Sequence, residues 1–437
     1  MKWSQPADRR VVEAVVAVFR APADMLHARL SQLTEAQWIR SYYWLDASGM
    51  ALYLLDRIVS QELENAIPST VLERLRQNLA DNRRRTDSMR IEYAELNREF
   101  EVNGIDYCNL TGFTLALHSC PNPVLRCQLD FDFLVDGKDL ETCREILTRR
   151  GYTLRGSTST VWEFKTETDE LADLADHYKP KSQRCVEIHF ACDPQASRLP
   201  IRDERLNRIG LVRIGDVTIP ALSAVDQFIA QATHLFGHLC GPSTRLAWLL
   251  EFARHIKVRY EDREFWTEVA GRAATNRGDS IAVGAVCLLA TQVFCTRIPD
   301  TLEASLITCV PVGVAMWLDR YGRKALLADF PGTKLHLLLS EQLNAGNTNW
   351  KQKKRRMLMP SRRAPKIIHV GRSAGILKRL RGEIYQVRYD LFRLRFHVVE
   401  GLRYMIEAVR WRQYLEEQQP GRDTELKEQV STTVGHS

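Results

Sequence analysis

At 437 residues the chain is too long for one ordinary core and suggests two or three domains. Its 45% hydrophobic and 26% charged residues are those of a soluble globular protein, and no apolar run approaches the span of a membrane. Ten cysteines without a single Cys-x-x-Cys pair argue against zinc knuckles and for buried free thiols, while the start, with Asp8-Arg9-Arg10 following at once, lacks the apolar core of a signal peptide, so the cytoplasm is the expected compartment.

In chain order, residues 1–99 are helical in character and read as a support region, with long stretches at Trp44 to Leu63 and Thr70 to Leu96. Pro68-Ser69-Thr70 is a plausible helix start, and Asp81-Asn82-Arg83-Arg84-Arg85 beyond it reads as a solvated helix face. Residues 100–200 alternate strand and helix signals, which predicts an α+β fold with a mixed-sheet core. A strand from Gly104 breaks at Thr111-Gly112 into a short helix, Phe113 to His118, and Pro121-Asn122-Pro123 turns the chain. Strands follow at Leu129 to Val135, Tyr152 to Leu154, Val161 to Lys165 and Cys185 to Phe190, with a helix over Lys138 to Arg150 stopped by Gly151 and a polar loop over Thr166 to Ser182.

Within Leu129-Asp130-Phe131-Asp132-Phe133 two carboxylates alternate with apolar residues, so on a strand both acids share one face. Neighbouring anions repel unless a cation or a shared proton relieves them, which points to Mg²⁺; the plain reading is the wet edge of an amphipathic strand. Glu187, in Cys185-Val186-Glu187-Ile188-His189, adds a third acid on one face of another strand.

These motifs resemble the uncharacterised nucleotidyltransferase family of the DNA polymerase beta-like superfamily. The resemblance rests on the turn Thr111-Gly112, the run Arg126-Cys127-Gln128-Leu129-Asp130-Phe131-Asp132-Phe133-Leu134-Val135, then Gly151-Tyr152 and Glu187-Ile188-His189, and it extends to about residue 260. It implies a nucleotidyltransferase in which Asp130, Asp132 and Glu187 hold one or two Mg²⁺ ions on the triphosphate of an NTP. Thr111, Gly112 and Arg126 would serve nucleotide binding, and the acceptor is a small molecule, a peptide, a protein or an RNA. One departure matters: the family turn carries lysine where this chain has Thr111, and the superfamily often has serine where it has Phe113. A fold that has kept its shape without its chemistry, serving as a scaffold, is therefore the competing reading.

From 201 to 345 the pattern predicts a helical domain closing over the site, with Ser223 as N-cap and helices over Phe228 to Phe236, Ser243 to His255, Arg277 to Val293 and Val314 to Leu327. Glu251, placed by the resemblance near Arg245-Leu246-Ala247-Trp248, is the candidate base; a surface ion pair with Arg254 or His255 is the competing account. His234 and His238 lie four apart on one helix face but lack the neighbouring glutamate of a hydrolytic zinc site. Residues 346–415 form a basic amphipathic helical tail: 351–413 carries 18 Lys and Arg against 4 Asp and Glu, a formal +14 in a chain of net +7. Its arginines and aromatics suit an anionic membrane surface at the inner face, an RNA, or the acidic remainder of the same chain. Residues 416–437 are polar and expected to be disordered.

Overall fold

The computed structural model describes residues 6–167, 177–180, 184–193, 199–214, 217–344, 348–359 and 375–418. Most of the 166–182 loop and the polar end beyond residue 418 lie outside the described residues.

Five helices open the chain: α1 (Arg9–Val18), α2 (Ala23–Ser31), α3 (Glu35–Ala47), α4 (Met50–Ser60) and the long α5 (Ser69–Val102). Asp8 caps α1 by accepting the Arg10 N–H, and Thr34 with Gln37 forms a capping box at α3, so both starts are written into the local sequence. The stretch from Trp44 to Leu63 is two helices rather than one. Gly49 breaks it with φ +75°, and a Cβ there would lie 2.8 Å from that of Ala247, so the break is also where the N-terminal helices meet a later one.

The sheet has seven strands in the order β3-β4-β5-β2-β1-β9-β8. They are β1 (Tyr107–Asn109), β2 (Phe131–Val135), β3 (Tyr152–Ser157), β4 (Val161–Thr166), β5 (Cys185–His189), β8 (Gly210–Ile214) and β9 (Val217–Ala221); β6 (Ala191–Cys192) and β7 (Pro200–Ile201) form a separate short pair. β2 lies at the centre, antiparallel to β1 and parallel to β5. One sheet face is sealed by Met89, Tyr93, Leu96 and Phe100 of α5 and by Cys143, Ile146 and Leu147 of α6 (Leu140–Arg149), which pack on Phe131, Phe133, Phe164 and Ile188. The sheet runs past the boundary expected at residue 200, because the β8–β9 hairpin adds to β1 through Asn109 and Ala221.

Four helices follow: α7 (Ala224–Leu239), capped by the Ser223 hydroxyl, α8 (Leu246–Arg259), α9 (Arg263–Ala274) and α10 (Arg277–Phe294). They share one hydrophobic core with the N-terminal helices, in which Val15, Leu54, Phe228, Leu249 and Val286 belong to a single cluster. The first 99 residues are thus part of the same body. The expectation that no apolar run approaches a membrane span needs amendment: α10, with 18 residues, is long and apolar enough by composition, yet two thirds of it are buried as a core helix.

All ten cysteines are free; Cys295 and Cys309 are exposed, against the expectation of burial. The tail contains a helix over Trp350–Leu358 and a 43-residue C-terminal helix, Ile376–Gln418. Its aromatics turn toward the body: Phe392 stacks on Phe330 with centroids 6.3 Å apart, and Tyr404 and Trp411 are buried.

Candidate active site

The central pairing builds the site. β2 and β5 run parallel with Asp132 opposite Glu187, and side chains of paired residues share a face, so the two carboxylates project together on the side that α5 and α6 leave open. Asp130 stands one residue before β2 and lines the same cleft, of about 620 Å³. His189, two residues after Glu187, faces the same way, with Nε2 3.6 Å from Asp132 Oδ1 and 3.5 Å from Glu187 Oε2. Thr111 and Arg126 also line the cleft.

Electrostatics follow from this crowding. Burial, with Asp132 and Glu187 alongside, pushes Asp130 up to about 7. Burial would raise Asp132 too, but His189 and the Thr111 hydroxyl hold it below its usual value. Burial would lower His189, yet the same two carboxylates raise it to about 9. Three acids and an imidazole on one sheet face are hard oxygen donors plus a nitrogen, and donor atoms of Asp132, Glu187 and His189 all lie within 4.8 Å of one another. This set fits a divalent cation, which would be held by Asp132 and Glu187, with Asp130 beside them.

The turn before the acids works differently from a phosphate-gripping lysine. Thr111 Oγ1 donates to Asp132 Oδ2 at 2.6 Å, so the hydroxyl orients a carboxylate. Gly112 has φ +78°, and a Cβ there would fall 2.4 Å from Gln128 Nε2, so glycine is required both by the backbone and by the packed amide. Gln128 in turn donates to the Asp130 carbonyl at 2.6 Å and fixes the approach to β2.

Glu251 does not line the cleft. It sits behind Arg126, buried to 3% exposure, accepting the Tyr53 hydroxyl at 2.7 Å and pairing with Arg126 Nε at 3.3 Å. It faces neither Arg254 nor His255; Arg254 instead covers the Tyr53 ring. Arg126 also donates to Gln128, so Glu251, Arg126 and Gln128 form a chain of contacts ending at Asp130. Glu251 is therefore placed to position Arg126 rather than to take a proton.

Arg245, at the N-terminus of α8, and Trp248 are functional candidates that the sequence argument passed over. The other cleft arginines are engaged, Arg205 with Asp203 and Arg126 with Glu251, whereas Arg245 makes no ion pair among the described residues and lies 5.3 Å from the Trp248 ring. The signal for it was available: an arginine just ahead of an apolar helix start is a cation at the end of a helix that favours anions. His234 and His238 do share a face, with rings 4.7 Å apart, but both pack on Trp248 at 4.6 and 4.5 Å. The cleft walls desolvate both and lower them, His234 to about 4 although its side chain stays solvent-exposed, so they form a neutral aromatic wall. A larger cavity of about 690 Å³, lined by Arg57, Arg254 and Lys257, holds none of the strand acids.

A mixed sheet that presents paired carboxylates from neighbouring strands, with an arginine-bearing helical wall opposite, defines a nucleotidyltransferase-like enzyme fold. The chain belongs to the family described as uncharacterised nucleotidyltransferase, whose model matches residues 34–294, from the start of α3 to the end of α10. Nucleotidyl transfer is thus its general activity. No curated protein matches the chain.

Proposed function

We propose that the protein transfers a nucleoside monophosphate from an NTP to a hydroxyl acceptor in a Mg²⁺-dependent reaction, with Asp130, Asp132 and Glu187 as the carboxylates that hold one or two ions. The observation that carries this reading is the parallel β2–β5 register that sets Asp132 beside Glu187, with Thr111 and His189 fixing Asp132. Bound divalent cations would supply charge neutralisation at the triphosphate.

The residues do the rest by position. Arg245 meets the triphosphate. Trp248 with His234 and His238 offers an aromatic face to a base or to the acceptor. The acceptor oxygen bonds to the α-phosphorus as the bond to the β-phosphate breaks and pyrophosphate leaves. The hydroxyl proton passes to a carboxylate of the cleft, Glu251 being out of reach behind Arg126. Thr111 in place of a lysine shifts the phosphate charge onto Arg245, and the acid pair gains an orienting hydroxyl in exchange.

Pyrophosphate release with each of the four NTPs, with and without Mg²⁺, tests this in wild type and Asp132→Asn. Metal-dependent release from wild type alone supports the transferase. Nucleotide binding without release in the presence of a panel of hydroxyl acceptors would instead assign the scaffold role.

A further inference from the structure

The C-terminal helix is docked on one side only. Phe392 stacks on Phe330, the Glu400 carboxylate accepts the Lys334 N–H at 3.3 Å, and the Glu407 carboxylate accepts the Tyr321 hydroxyl at 3.1 Å. The opposite side carries an aliphatic stripe in open solvent. Its members fall into two interleaved rows, Leu377, Ile384, Leu391 and Val398, then Leu380, Val387 and Leu394, and each residue is 46 to 75% exposed.

Steps of three and four alternate without a break from Leu377 to Val398, a period of 3.5 residues, so these rows are the a and d positions of heptads. The stripe continues through Leu402, Met405 and Val409 after one four-residue step, a stutter that eases the supercoil without ending the apolar face. A contiguous stripe of this length is far more apolar surface than a monomer ordinarily leaves in water.

The flanking charges select the occupant. In this register the e positions are Arg381, Arg388 and Arg395, and the first two g positions are Glu383 and Asp390. In a parallel pair each g residue faces the e residue of the next heptad on the other strand, which sets Glu383 against Arg388 and Asp390 against Arg395, twice each by symmetry. An antiparallel pair would set arginine against arginine and acid against acid. Asp390 also accepts from Gln386 Nε2 one turn back at 3.1 Å, a contact within its own helix.

We propose that the protein is a homodimer joined by a parallel two-stranded coiled coil of residues 377–409, with each body on the outer side of its own helix. This is independent of the reading of the strand acids.

Sedimentation of the full chain over nanomolar to tens-of-micromolar concentrations is the test. A species of twice the 50.2 kDa chain mass is expected, and a monomer throughout overturns the proposal. Leu391→Glu, at an exposed position that leaves the docked side untouched, should weaken association at least tenfold with unchanged circular dichroism. Glu383→Arg with Asp390→Arg should do the same, and adding Arg388→Glu with Arg395→Glu should restore the dimer. An unchanged dimer after the first charge reversal rejects the parallel arrangement. Vesicles of neutral and anionic phospholipid provide the remaining arm: a monomeric chain that binds them through Leu391 assigns the stripe to lipid and overturns the dimer.

Discussion

The cleft at β2 and β5 and the outer face of the C-terminal helix both break the usual sorting of polar groups outward and apolar groups inward, in opposite directions. The cleft gathers three carboxylates against a sealed sheet, so that one of them is pushed up to about 7 by burial and by the other two. The helix sets twelve aliphatic side chains and Met405 in water. Charge crowded inward calls for an ion or a proton, whereas apolar surface turned outward calls for another surface. Groups that fold a protein are sorted by solvent, and groups set against that sorting are held there for a ligand or a partner.

Substitution at the cleft should separate function from stability most sharply. Asp132→Asn is expected to lower pyrophosphate release by about a thousandfold or more, since it removes an anion from the charge-stabilising set. Asp130→Asn should lower turnover as well and leave the thermal midpoint unchanged or raised, because it relieves the repulsion among the acids. A large fall in the midpoint with either variant would mean that the acids hold the fold together.

Glu251 should behave in the opposite way to Asp130. Glu251→Ala leaves Arg126 buried without its partner and is expected to cost about 3–5 kcal/mol in denaturant unfolding, with Tyr53→Phe costing about 1–2 kcal/mol. If Glu251→Gln retained full stability while losing turnover, the buried pair would be catalytic after all and the contrast with the cleft would fail.

Arg245→Ala tests the opposing wall. It should raise the KM for NTP about tenfold or more, with no change in unfolding, because its guanidinium makes no ion pair among the described residues. Equal KM values in wild type and variant would remove it from the triphosphate site.

A further contrast concerns a buried base instead of buried acids. His255 is inaccessible, stacked 4.8 Å from His118 and edge-on to Phe228, and burial with His118 lowers it to about 3. Its neutral form is the folded one, so its contribution is complete above pH 6.5 and is lost as pH falls from there toward about 3, while the unfolded chain takes up the proton. Unfolding curves measured between pH 7 and pH 4 should lose stability less steeply for His255→Phe than for wild type; identical slopes would assign the acid sensitivity to other groups.

How much of this was legible from the chain depends on the range of the interaction. Alternation in Leu129 to Phe133 identified a strand with two acids on one side, and Ser223 announced α7, because side-chain period and capping are local rules. Gly49 was harder to read, since a single glycine marks a break only where another helix presses on it, here through Ala247. Glu251 was misread for a similar reason: its carboxylate is claimed by Tyr53 and Arg126, 198 and 125 residues away. The aromatics of the tail could have faced lipid or RNA until Phe330 and Tyr321 were found beneath Phe392 and Trp411.

The amino-acid sequence by itself determined the acids, their spacing, the helix starts and the heptad spacing of the final helix, all set by backbone geometry within a few residues. Only the tertiary structure decided that Asp132 pairs with Glu187, that Thr111 serves a carboxylate, that Arg245 stands across the cleft, and which side of the last helix faces water. Those choices are made by strand register and packing between distant segments, for which no local pattern carries a code.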